Sequence, residues 1–237
     1  MPTMSGPITA ALGARTIIAP GIADLSFSML TPEKLVFQGG QFVSLSVGPE
    51  LPRRSYSVAS QSDRGESIRL ILRIIEDGPA SQYLMTMPLG TVVPMTGPHG
   101  FFTLEREHRG DIVFAATGTG VAAVMPMLGE LAHCRSTGRR FLFWGLRRPE
   151  DIFARDEIVE LCRKADVELD IHLTAPPPDW TGSRGRITPA VVDRLPMLVA
   201  PTFYLVGNGA MIDELKRELV SKGVDRKKQI RTEAFFD

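Results

Sequence analysis

Apolar and polar residues follow two different rhythms along this chain. Through the first hundred residues the apolar runs are short and broken by Gly and Pro: 16–19, 23–30 and 41–47 read as β-strands, with Gly39-Gly40 as a turn or bulge before the third. Residues 68–75 form a longer, largely apolar strand, and runs at 91–95 and 101–104 flank a turn at Gly97-Pro98-His99-Gly100. One helix stands among them, 80–87, opening on Gly78-Pro79-Ala80-Ser81. Several short strands at close spacing around one helix predict a small antiparallel β-barrel.

After residue 110 strands and helices alternate. Strands are predicted at 111–117, 140–145, 167–174 and 202–206, and helices at 121–133, 156–165, 188–195 and 210–222. This order predicts a doubly wound α/β domain, a parallel sheet with helices on both faces. The expected boundary lies in the charged connector 105–110, giving a barrel domain over 1–107 and an α/β domain over 108–237.

Composition changes this picture little. The 237 residues suit two domains. With 27 basic and 27 acidic residues there is no net charge to favour nucleic acid or an anionic membrane as the main partner. No apolar stretch approaches the roughly 20 residues of a membrane span, and residues 1–15 show no secretory signal, so a cytoplasmic monomer without membrane insertion is expected. Two cysteines, Cys134 and Cys162, supply neither a disulfide framework nor a cluster site. The four histidines are scattered, so no metal site is expected.

Candidate chemistry begins at Leu51–Ser60. In a strand, Arg54 and Tyr56 fall on one face with Ser57 alongside, offering a guanidinium for phosphate, a flat ring and a hydroxyl. A nucleotide with a large aromatic head, such as a flavin, needs all three; an ordinary edge strand flagged by Pro52 is the competing reading. Gly78-Pro79-Ala80-Ser81 presents backbone N–H groups at a helix start in the same half. In the second half Thr117-Gly118-Thr119-Gly120 joins the first strand to the first helix, the context in which a Gly-rich turn binds a dinucleotide pyrophosphate. Val206-Gly207-Asn208-Gly209-Ala210-Met211 repeats that geometry at a later strand. Arg147 and Arg148 end the second strand, where an acid would select NAD(H); they favour NADP(H), with NAD(H) as the alternative. Arg184 and Arg186 are further, weaker candidates. Two anion cradles fit two cofactors better than one.

These motifs resemble the ferredoxin–NADP⁺ reductase family of flavoproteins over the whole chain. Arg54-Ser55-Tyr56-Ser57 is similar to its flavin motif, Gly78–Ser81 to its pyrophosphate turn and Thr117–Gly120 to its nicotinamide-side turn. Tyr204–Met211 resembles a late Gly-containing segment, and Glu233-Ala234-Phe235 its terminal acid–x–aromatic. The resemblance implies a flavoprotein oxidoreductase in which hydride passes from NAD(P)H to FAD. Electrons then go to a small carrier protein such as ferredoxin or flavodoxin, or to an oxygenase component. It implies that Arg54 pairs with the flavin phosphate, Ser55 belongs to the same flavin-binding motif, Tyr56 stacks on the isoalloxazine, Ser57 approaches N5, and Ile71, Leu72 and Arg73 line the flavin. Gly78, Pro79, Ala80 and Ser81 would meet the pyrophosphate, which favours FAD over FMN. Thr117, Gly118, Thr119, Gly120, Gly207, Asn208 and Met211 would serve the dinucleotide, with Glu233 as a proton-relay group and Phe235 either shielding the flavin or filling the domain interface.

The chain departs from the family at Val206, where cysteine is common, at Ala123, where proline usually follows the turn, and in continuing past Phe235 to Phe236 and Asp237. Two alternatives stay open: a flavin reductase using flavin as substrate, and an electron-transfer subunit of a larger complex.

Overall fold

The computed structural model describes residues 8–48, 51–61, 65–105, 110–134 and 138–235. Two six-stranded sheets organise them. The first comprises β1 (Ile8–Ala19), β2 (Ile22–Thr31), β3 (Phe42–Leu45), β4 (Arg54–Ser57), β5 (Ser67–Arg73) and β6 (Val92–His99), in the order β4-β3-β6-β1-β2-β5, all neighbours antiparallel. A bridge between Val58 and Leu70, with Ala59 N–H donating to the Arg69 carbonyl at 2.7 Å, joins the two edges and closes the sheet into a barrel. Alternate residues fill it: Leu12, Leu25, Phe27, Val43, Leu45, Ile68, Leu70 and Val93 are fully buried. Helix α1 (Pro79–Thr86) covers one end with Leu84. The Arg15 guanidinium caps this helix by donating to the Leu84 and Met87 carbonyls at 3.1 and 2.8 Å.

The second sheet runs β10-β9-β8-β7-β11-β12, every pairing parallel. Its strands are β7 (Ile112–Thr117), β8 (Arg140–Leu146), β9 (Glu168–Leu173), β10 (Ser183–Arg184), β11 (Thr202–Asn208) and β12 (Ile230–Phe235). Helices α2 (Val121–Leu131) and α3 (Arg155–Lys164) pack on one face around Phe114, Trp144 and Tyr204. On the other face α4 (Ile187–Arg194) and α5 (Gly209–Ser221) pack around Phe143, Phe203 and Leu205. A short α6 (Arg226–Gln229) feeds β12. The predicted barrel and doubly wound sheet are both present.

The details differ in places. Residues 101–104 are not a strand; instead β6 continues through Gly97 and Pro98 to His99. β1 is three times the length expected, because its first half alternates buried Ile8, Ala10 and Leu12 with small residues. Gly39-Gly40 does more than turn: a Cβ on Gly39 would stand 2.7 Å from the Met127 nitrogen of α2, so the glycine lets a barrel loop rest on a helix backbone. The barrel residues Ile22, Ala59, Ile71 and Phe102 are buried in the same apolar cluster as α2 and α3, so the halves share a core. Part of the expected connector, residues 106–109, lies outside the described residues, as do Phe236 and Asp237. Among the described residues no helix is long and apolar enough to cross a membrane.

Candidate functional site at the seam of the two halves

Two Gly-rich turns meet where the strand order of the parallel sheet reverses, between β7 and β11. In open α/β sheets that crevice at the carboxyl ends is where ligands bind. The turns are built on one another. Gly207 has φ +116°, and a Cβ there would fall onto Thr117; a Cβ on Gly120 would meet the Gly207 Cα at 3.0 Å. The Thr117 hydroxyl accepts the Asn208 N–H at 2.9 Å. Asn208 in turn caps α5, its Oδ1 accepting the Met211 N–H at 3.1 Å. Trp144 Nε1 donates to the Gly118 carbonyl at 3.0 Å from beneath. With these groups committed, the outer rim is left clear: Gly118, at φ +55°, and Gly209 have no atom within 4 Å of a Cβ position.

The barrel contributes β4. Arg54 and Ser55 are exposed, Tyr56 half-buried and Ser57 buried. Among the described residues, the Arg54 guanidinium donates to the carbonyls of Pro52 and Arg53 alone, at 3.5 and 3.3 Å. Tyr56 packs against the barrel core, and this burial pushes its phenol up to about 12, with Arg54 opposing. Ser57 Oγ donates to Glu233 Oε1 at 2.9 Å, linking β4 to β12 across the seam. Burial pushes the Glu233 carboxyl up to about 7, and the Ser57 hydrogen bond only partly opposes it.

The other sequence candidates take varied places. Ile71 faces the α/β core, Arg73 is exposed, and the Leu72 side chain points into the barrel core, leaving only its backbone to line a ligand. Gly78 is the N-cap of α1 and Pro79 its first residue, so the first free N–H groups belong to Ala80 and Ser81. The Ser81 hydroxyl accepts the Ile75 N–H at 2.9 Å and shapes the turn. Met211 is buried in the α4–α5 core and acts there through packing. Phe235 packs against the shared core, which favours the interface-filling reading of that residue. Of the arginines, Arg184 is held by the carbonyls of Pro177, Pro178 and Trp180, and Arg186 pairs with Glu214. Arg148 stands 3.7 Å from Glu150. Arg147 is exposed at the end of β8.

The sequence did not reveal Gly100, whose Cβ position lies 3.8 Å from Glu233 Oε2, nor the row His99–Phe42–Ser57 that three paired strands bring side by side. The extended registers of β3 with β4 and β6 were the available signal.

An exposed guanidinium beside an aromatic ring, a free helix N-terminus and two open glycine turns facing a shared seam define a two-cofactor dinucleotide oxidoreductase. The residues fit the groups: Gly118 and Gly209 leave room that any side chain would fill, and Arg54 has no acidic partner among the described residues. Comparison with known proteins agrees. Residues 9–104 match the oxidoreductase FAD-binding domain family and 114–217 the oxidoreductase NAD-binding domain family. A ferredoxin–NADP reductase B of Sorangium cellulosum is 32% identical over 233 residues, covering 93% of this chain and 95% of that protein. An NADH-cytochrome b5 reductase 1 of Lodderomyces elongisporus is 27% identical over 226 residues, covering 92% and 75%. The crystal structure of a ferredoxin NADP⁺ reductase from Neisseria gonorrhoeae with bound FAD and NADP superposes with a TM-score of 0.83 at 23% identity, over 97% of this chain and 99% of that one. The chain belongs to the ferredoxin–NADP reductase family of FAD- and NAD(P)-binding oxidoreductases. It is an NAD(P)H-dependent flavin oxidoreductase of the kind whose relatives reduce electron-carrier proteins.

Proposed function

We propose that this protein takes hydride from NADPH and delivers single electrons to a small soluble carrier of the ferredoxin or flavodoxin type. The observation that carries the reading is the Ser57–Glu233 hydrogen bond, which sets a flavin-side hydroxyl and a half-buried carboxyl beside the two dinucleotide turns. FAD, when bound by these residues, would supply the two-electron and one-electron redox chemistry.

The chain's own residues bind and orient. Arg54, Ser55 and the N–H groups of Ala80 and Ser81 hold the flavin phosphates, and Tyr56 supports the ring. Gly118 to Gly120, with Gly207, cradle the nicotinamide dinucleotide, and exposed Arg147 meets its 2′-phosphate, which favours NADPH over NADH. Ser57 positions a hydrogen bond at the reacting face. Glu233, titrating near neutrality, takes up or releases a proton through Ser57 Oγ as charge changes there. The shared apolar core excludes water from this seam. Each half folds around its own sheet, which supports the division into 1–107 and 108–237, and the free thiols Cys134 and Cys162 fit a reducing cytoplasm.

An anaerobic absorbance titration tests the reading. The purified protein is expected to stay yellow through dialysis, to bleach with NADPH at lower concentration than with NADH, and to reduce a ferredoxin or flavodoxin afterwards. A colourless dialysed protein that reduces added free flavin would make it a flavin reductase, and the absence of bleaching with either dinucleotide would sink both.

A further inference from the structure

Arg69 lies on the outer face of β5 and grips both halves of the molecule. Its Nε and Nη2 fork onto Asp24 of β2, at 2.9–3.0 Å and 2.8 Å, within the barrel. Its Nη1 points the other way, to both carboxylate oxygens of Glu157 at 2.8 and 2.7 Å, in the first turn of α3. The Arg69 side chain is 24% exposed and Asp24 20%, whereas Glu157 is 43% exposed, so solvent screens the contact to Glu157 more than the one to Asp24.

The position of this clamp matters more than its strength. Two residues further along β5, Ile71 enters the shared core, and the strand runs against the Gly118–Gly120 turn. Glu157 stands just beyond residues 147–154, the segment that carries Arg147 and that Phe153 ties to Trp144 by an edge-on ring contact at 5.3 Å. The seam near β5 is mainly apolar, through Ile22, Ala59, Ile71 and Phe102, and its other polar ties are neutral or single: Gln61 Nε2 donates to the Met125 carbonyl at 3.3 Å and the Gly39 N–H to Glu130 Oε1 at 2.6 Å. Apolar burial holds surfaces together but does not fix their direction. A guanidinium chelated on two sides does.

We infer that Arg69 is a positioning residue: through Glu157 it fixes the angle between the flavin half and the dinucleotide half, and with it the approach of nicotinamide to flavin. The inference rests on the proposed hydride transfer, but the clamp itself can be tested without it. Productive hydride transfer needs the reacting atoms within a narrow range, and small misplacements slow it steeply. Dinucleotide affinity, set within one half, should change little.

Glu157→Gln is the informative variant, because it leaves Arg69 paired with Asp24 and the barrel intact. In flavin-free protein, spin labels at Thr86→Cys and Lys222→Cys in a Cys134→Ser background report the distance between the halves. The distribution is expected to broaden in Glu157→Gln and to stay narrow in Glu160→Gln, which removes a neighbouring pair on the same helix. In the flavin-loaded protein at saturating NADPH, the limiting rate of bleaching is expected to fall about fivefold with KM unchanged, since about 1 kcal/mol in the barrier gives that factor. Unaltered label distances, or an unaltered limiting rate, overturn the inference. A wild type that NADPH fails to bleach would instead defeat the functional reading, while the label distances still decide on the clamp.

Discussion

Ser57 Oγ and Glu233 Oε1 meet at 2.9 Å although 176 residues separate them in the chain. One sits on a barrel strand and the other on the edge strand of the parallel sheet, so the bond exists only when the halves are assembled. Replacing Ser57 by Ala deletes the hydroxyl without touching the phosphate-binding groups. The protein is expected to keep its flavin while the limiting rate of reduction by NADPH falls about 10-fold or more, the loss of roughly 1.4 kcal/mol of transition-state stabilisation. Anaerobic stopped-flow checks this; an unchanged rate would remove Ser57 from the reacting face.

Glu233 makes a second, pH-dependent prediction. A carboxyl raised from 4.5 to about 7 in the folded chain holds its proton more tightly there than when unfolded. The contribution of Glu233 to stability should therefore be fully present below about pH 4.5, fall as pH rises towards 7, and level off above it. Glu233→Gln cannot ionise, so in flavin-free protein the two chains should differ little near pH 4 and the variant should be more stable near pH 8. The gap is about 2 kcal/mol, allowing for partial exposure and the altered Ser57 contact. Denaturant melts across this window decide it, and parallel curves for the two proteins would show that Glu233 is not the titrating group.

Much of this site could be read in the chain before folding, because its parts are local. Arg54-Ser55-Tyr56-Ser57 is one short strand and Thr117–Gly120 one strand-to-helix turn, and each carries its chemistry in consecutive residues. What stayed hidden was long-range. β12 reads as polar because it is an edge strand with only Ile230 fully buried, so neither its strand character nor the delivery of Glu233 to Ser57 shows in its pattern. Leu72 and Ile71 look alike in sequence, yet the pleat sends one into the barrel and the other into the shared core. Asn208, a dinucleotide candidate by its place in the Gly-rich turn, is also the cap of α5, a role that depends on where α5 begins.

Arg54→Ala should separate binding from chemistry. Among the described residues the guanidinium has only neighbouring carbonyls for partners, so its loss unpairs none of their acids and should leave the fold intact. A charge-assisted hydrogen bond to phosphate is worth about 1.5–3 kcal/mol, so flavin affinity should drop roughly 10- to 100-fold. Dialysis should then strip the variant of colour while its thermal transition without flavin matches that of the wild type. A variant that stays yellow would place the flavin phosphate elsewhere.

Arg147 governs the choice between dinucleotides. It is exposed at the end of β8, whereas Arg148 stands 3.7 Å from Glu150. Arg147→Ala is expected to raise KM for NADPH roughly 10-fold or more, from the loss of about 1.5–3 kcal/mol of phosphate pairing, with KM for NADH nearly unchanged. Equal effects on both would mean that Arg147 contributes general attraction to the pyrophosphate and does not read the 2′ position.

Gly207 tests whether the two turns act as one structure. Its backbone lies at φ +116°, where an L-residue is strained by about 1–3 kcal/mol, and a Cβ would also press on the Thr117 hydroxyl that receives the Asn208 N–H. In Gly207→Ala the turn must move away from Thr117, taking the Asn208 cap and the start of α5 with it. The Ser57–Glu233 bond, which joins β4 of the flavin half to β12 of the dinucleotide half, does not pass through the turn. Flavin content should therefore hold while affinity for either dinucleotide falls, since both share the same cradle. Titration of the variant with NADPH and NADH, read against its flavin absorbance, separates this from unfolding: loss of flavin together with dinucleotide binding would mean that the turn supports the whole seam and not the dinucleotide alone.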